Sequence, residues 1–81
     1  MNPRVKKVEY ESPYKLIITF ENEKVRLFDI SDYLIYPVYE PLRKESFCST
    51  AKVFNGTVIW NDMIDFDPDT LYIESHELVD A

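Results

Sequence analysis

The sequence predicts a small α+β fold: an antiparallel sheet, made of a three-stranded meander and a C-terminal hairpin, packed with two or three short helices. Three observations predict it. Residues 15–21 alternate apolar and polar side chains at the period of a strand. The chain's one glycine sits in Asn55-Gly56 between two β-rich runs. Asp67-Pro68-Asp69 has the order of a helix start. With no repeat, low-complexity segment or linker, residues 1–81 read as a single domain.

Val5 to Tyr10 is the first expected strand, broken by Glu11-Ser12-Pro13. Lys15 to Glu21 is the second, with Leu16, Ile18 and Phe20 on its buried face. Asn22-Glu23 turns the chain, because asparagine tolerates the left-handed conformation, and Lys24 to Asp29 returns with Val25 and Leu27 expected inward. Ser31 as N-cap and Asp32 in the first turn predict a helical turn to Ile35, stopped by Pro37. Residues 41–51 read as a second helix in two pieces, its apolar contacts Leu42, Phe47 and Cys48. Lys52 to Phe54 and Thr57 to Trp60 flank Asn55-Gly56, whose type I′ turn needs positive φ at both central residues. Asp67 then caps a last helix with Pro68 in its first turn, fraying toward Asp80.

The composition, 46% hydrophobic with twelve aromatics, supports a real core. One cysteine rules out an internal disulfide and a multi-cysteine zinc site, and no apolar run approaches the length of a signal or membrane segment. A bacterial, cytoplasmic protein is expected. The net charge of −6 is unevenly spread. Residues 1–26 carry six basic against four acidic side chains, and residues 27–81 three against eleven. Such an acidic C-terminal half repels nucleic acid and favours basic partners.

Aspartates 62, 65, 67 and 69 crowd one stretch between Trp60 and Tyr72. Counted from Asp65, a calcium loop would need glycine where Thr70 stands and glutamate where His76 stands. His76-Glu77 begins a zinc-protease pattern whose second histidine is replaced by Asp80. Cys48 with His76 lacks an orienting third group, and Asp62 with Asp65 lacks room for a cleft of the few hundred cubic ångströms that ligand sites take, roughly 300 Å³ or more. These readings predict no enzyme, no catalytic residue, no cofactor and no resident metal. A sheet face of Lys7, Lys15, Lys24 and Arg26, shared with Glu9 and Glu21 and without stacking aromatics other than Phe28, stays open as a nucleic-acid surface.

Taken together, Lys15-Leu16 through Thr19-Phe20, Val25 to Asp29, Pro41-Leu42, Phe47, Val58-Ile59-Trp60 and Asp65 to Tyr72 resemble the small bacterial family named domain of unknown function 2442, over nearly the whole chain. The resemblance implies an α+β domain with antiparallel strands and no established activity. It also implies that some relatives join this module to a helix-turn-helix, while others lie beside small proteins in toxin/antitoxin-like gene pairs. The chain stops before a helix-turn-helix could begin, so recognition of DNA by that route is not expected. Asn22 and Met63 stand at turns where the family usually has glycine.

The leading expectation is a non-enzymatic interaction module whose acidic half contacts a basic protein encoded nearby. Asp62, Asp65, Asp69, Glu74 and Glu77 are the candidate contacts, with Tyr72 as an aromatic anchor if exposed and a core residue otherwise. A nucleic-acid binder using Lys7, Lys15, Lys24 and Arg26 is the alternative, and a metal- or ligand-binding protein using the 62–69 cluster the second. An edge strand, Val5 to Tyr10 or Thr57 to Trp60, leaves a homo-oligomer open.

Overall fold

The computed structural model describes residues 2–61 and 64–78. Among them the chain forms two antiparallel sheets and a few short helices, an α+β architecture. The first sheet has the order β1-β2-β3-β7, with β1 at Val5–Glu11, β2 at Lys15–Phe20, β3 at Val25–Asp29 and β7 at His76–Glu77. The second runs β4-β5-β6, with β4 at Lys52–Phe54, β5 at Thr57–Asn61 and β6 at Ile64–Phe66. Between the sheets in sequence lie two 3-10 helices, Ile30–Tyr33 and Pro37–Arg43, and the single-turn helix α1, Glu45–Cys48. Helix α2, Pro68–Ile73, joins β6 to β7.

The meander forms as its alternation dictates. Leu16, Ile18 and Phe20 of β2 are fully buried. The register places Val8 and Tyr10 beside Ile18 and Leu16, so one face of the sheet meets the core. In β3 the parity differs from the expectation. Leu16 pairs with Phe28 and Ile18 with Arg26, so Phe28 and Arg26 share the inner face while Val25 and Leu27 stand on the outer one. Phe28 is fully buried and Val25 is exposed.

Two turns also resolve differently. At residues 21–24 the left-handed residue is Glu23, φ 69°, not Asn22, whose side chain instead accepts a hydrogen bond from the Lys24 amide at 3.0 Å. The first 3-10 helix is capped by Asp29, which accepts from the Ser31 amide at 2.9 Å and the Ser31 hydroxyl at 2.6 Å. Ser31 therefore serves the cap without being it. Pro37 opens the second 3-10 helix, where a residue without an amide donor costs nothing, and does not merely end the first. That helix and α1 are the two expected pieces, with Leu42 and Cys48 fully buried and Phe47 half-buried.

The hairpin β4-β5 turns through Asn55 at φ 51° and Gly56 at φ 77°, as a type I′ turn requires. It is tied to the meander where the Val5 amide donates to the Gly56 carbonyl at 2.8 Å and the Arg4 guanidinium donates to the Asn55 carbonyl. β6 is a third strand that the sequence reading omits. Helix α2 is capped as expected, the Asp67 carboxylate accepting from the Thr70 amide at 3.3 Å. It ends at Ile73, and the chain enters β7 along β3 instead of fraying as a helix.

Both sheets and all four helices contribute to one apolar cluster that includes Val5, Phe28, Ile30, Leu42, Cys48, Val58, Trp60, Ile64, Phe66 and Leu71. Trp60 is inside it because its ring nitrogen donates to the Cys48 carbonyl at 2.7 Å, which meets its one polar need. Among the described residues no helix is long and apolar enough to cross a membrane.

Candidate functional site

The core opens to the surface at one aromatic cluster. Phe28 and Phe66 lie edge to face with ring centroids 5.1 Å apart, and Tyr33 stacks on Phe28 at 5.3 Å. Tyr39 lies flat on Phe66, centroids 4.6 Å apart and planes within 7°. Tyr33 also meets Tyr39 edge-on and Tyr36 at a tilt. The layers run outward from fully buried Phe28, through half-buried Tyr33 and Tyr39, to Tyr36, which is 50% exposed. The second 3-10 helix makes this arrangement. Tyr36 and Tyr39 flank its first turn, and the Tyr39 amide donates back to the Tyr36 carbonyl at 3.0 Å.

The result is a cleft of about 440 Å³ lined by Tyr33, Tyr36, Val38, Tyr39, Phe66, Asp67 and Thr70. Val38 stands exposed in its lining, and Ile73, one helical turn beyond Thr70, is exposed on α2. Asp67 gives the lining its one charge. Further carboxylates act on it from outside. Burial raises the Tyr33 phenol pKa above its usual value, and the charges of Glu74 and Asp32 push it the same way. Burial also raises Tyr39, with Asp65 adding to the effect. No basic side chain lines the cleft among the described residues. It is an apolar, aromatic slot in a negative field, able to hold an apolar stem ending in a cation.

A larger, shallow depression of about 870 Å³ lies on the other side of the second 3-10 helix, against Pro37, Glu40, Pro41, Arg43, Lys44 and Phe47. Its charges are mixed, and the Arg43 guanidinium already donates to the Leu34 carbonyl at 2.8 Å. It shows no preference for one ligand charge.

The expected contact residues do not form a single patch. Asp65 is exposed on the outer face of β6, opposite Ile59, and shares a 200 Å³ hollow with Phe54, Ile59 and Asn61. Asp69 is exposed in the first turn of α2, and Glu74 caps the end of that helix near Tyr33. Glu77 sits on β7 and pairs with Lys24 at 3.1 Å. Asp62 lies outside the described residues. Tyr72 is not a free anchor. It is half-buried, edge-on to Phe20 at 4.9 Å, with the Arg26 guanidinium 4.7 Å above its ring. Of the carboxylates at the cleft, the expected contacts include Asp65 and Glu74 but not Asp32 or Asp67, which is expected only as a helix cap; the tyrosines are missed, although Tyr33, Tyr36 and Tyr39 recur every three residues as a 3-10 helix repeats.

The basic sheet face is not assembled. Arg26 points inward, its guanidinium donating to the Ser75 hydroxyl at 2.7 Å and the Ser75 carbonyl at 2.6 Å. Lys7 pairs with Glu9 at 3.5 Å, Lys15 stands between Glu11 and Asp29 in the register, and Phe28 is buried. Among the described residues no group of three or more histidine, cysteine or carboxylate side chains is placed to hold a metal ion. Cys48 is fully buried, and burial pushes its thiol up to about 11, so little reactive thiolate exists at neutral pH.

Comparison with known proteins agrees with this frame. Residues 5–77 match the family model described as "Protein of unknown function (DUF2442)". Among curated proteins none matches the chain. A crystal structure of a "putative DNA binding protein" from Nitrosomonas europaea superposes with a TM-score of 0.81 at 26% identity, over 93% of this chain and 50% of that one. The chain thus spans about half the length of that protein.

Proposed function

The chain belongs to the DUF2442 family of proteins of unknown function, and on that premise we propose that it is a non-enzymatic protein-interaction module whose tyrosine cleft receives a basic segment of a partner protein. The observation that carries the reading is an aromatic slot open to solvent, with Asp67 in its lining, further carboxylates acting from outside and, among the described residues, no basic side chain lining it. Tyrosines offer large contact area at small entropic cost, and a cation over their faces gains attraction that water weakens least inside a cleft. The neighbouring acidic groups add steering that salt screens.

The first partner to test is the basic product of an adjacent gene, co-expressed and captured through this chain. It should be retained at low salt and released at roughly 1 M salt, where the screening length falls to about 3 Å. Capture that Tyr36→Ala leaves intact, or that salt does not weaken, would show that the cleft is not the contact.

DNA binding is a second reading, suggested by the description of the Nitrosomonas europaea protein. Against it, Lys7 and Lys24 are paired with glutamates and Arg26 is turned inward, which leaves the meander a weak basic surface. Titration with a duplex oligonucleotide at low salt separates the two: binding that persists when Lys7, Lys15 and Lys24 are replaced by glutamine would place any DNA contact elsewhere.

A further inference from the structure

We propose that the residue anchoring the partner segment in this cleft is an arginine, its guanidinium lying on the exposed ring of Tyr36 with Asp67 as the carboxylate that receives it. The inference rests on the interaction reading above and narrows it to one side chain. Three features of the cleft favour the planar cation over lysine's compact one. The first is the open aromatic face. Tyr33 and Tyr39 have ring faces engaged by Phe28 and Phe66, whereas Tyr36 touches Tyr33 only at a tilt, centroids 6.4 Å apart, and is 50% exposed. A guanidinium stacks on such a face and is weakly hydrated, so it gives up less water than an ammonium does.

The second is the acceptor. The Asp67 carboxylate makes a 3.3 Å bond to the Thr70 amide through one oxygen, which leaves lone pairs at the lip of the cleft for a two-pronged donor. The third is the wall. Val38, 57% exposed and in the lining, provides apolar surface for the three-carbon stem. The same chemistry already operates within the fold, where the Arg26 guanidinium lies 4.7 Å above the Tyr72 ring while donating to Ser75.

The test is an NMR titration of the full chain with three peptides identical except at four positions, filled by arginine, by lysine or by neutral citrulline. The arginine peptide should bind about ten-fold more tightly than the lysine peptide of equal charge, with citrulline weakest and the largest shifts at Tyr36, Val38 and Thr70. Asp67→Asn, which preserves a helix cap, and Tyr36→Ala, at an exposed position, should each abolish the arginine advantage while leaving the far-ultraviolet spectrum unchanged. Equal affinity of the arginine and lysine peptides, with shifts still centred on the cleft, would overturn the arginine anchor and spare the interaction reading. Absence of binding by both charged peptides, or shifts centred elsewhere, would overturn both.

Discussion

Glu45 ties the helical segment to the meander through hydrogen bonds from two side chains. Its carboxylate accepts from the Tyr10 hydroxyl at 2.5 Å and from the Ser12 hydroxyl at 2.6 Å, and the Tyr14 hydroxyl adds a bond to the Arg43 carbonyl. The bonds from Ser12 and Tyr10 hold the Glu45 carboxyl below its ordinary value of 4.5. On the other side of the pair, burial and Glu45 push the Tyr10 phenol up to about 12. A carboxyl with a depressed folded-state pKa adds stability above its unfolded value, and that stability is lost as pH falls through the folded one. Thermal unfolding measured from pH 6 downward should therefore lose stability below about 4.5. Glu45→Gln should flatten that acid limb; an unchanged limb would show that the tie contributes nothing. Gly56 offers a second test. A Cβ there would press on the Arg4 side chain at φ 77°, so Gly56→Ala should cost about 1–3 kcal/mol in denaturant unfolding. Residues such as Gly56 and Asp67 are legible in sequence because their roles are satisfied within three or four neighbours. Glu23 is not, because the Asn22 side chain takes the turn's hydrogen bond and leaves the left-handed conformation to the next residue.

At the scale of elements, β3 shows how a strand's faces can escape its own sequence. Val-Arg-Leu-Phe-Asp carries apolar side chains on both parities, and only its pairing with β2 chooses Phe28 for the core. Phe28→Ala should cost about 3–5 kcal/mol, whereas Leu27→Ala, on the outer face, should cost well under half of that by the same unfolding measurement. Similar losses at both positions would contradict the register. An arginine is tolerated on the inner face because Tyr72 and Ser75 receive it, and the planar fork makes Lys a poor substitute. Arg26→Lys should destabilise by about 1–2 kcal/mol and loosen hydrogen-exchange protection in β7, the strand that follows Ser75. Strands β6 and β7, three and two residues long, leave no periodicity to read. β6 exists by pairing with its neighbour β5, and β7 by pairing with β3, a partner distant in sequence.

For the whole molecule, the cleft joins residues 33–39 to residues 66–70 across nearly half the chain. Tyr36 lies at its surface, so Tyr36→Ala should change unfolding free energy by no more than about 0.5 kcal/mol while removing cleft binding. A larger loss of stability would mean that Tyr36 belongs to the core and not to a contact site. The acidic balance of residues 27–81 was readable from composition; Tyr72 was open as an anchor if exposed and as a core residue otherwise, and its packing against Phe20 and Arg26 gives it the second role. The sequence by itself determined the α+β class, the meander, the Asn55-Gly56 hairpin and the Asp67 cap, because alternation, positive φ and free helix amides are local requirements. Only the tertiary structure decided which face of β3 is buried, how the chain leaves α2, and which aromatics stand in the open. Those outcomes depend on register and on side chains thirty or more residues apart, as with Tyr33 and Phe66, 5.3 Å between centroids, and no local pattern encodes them.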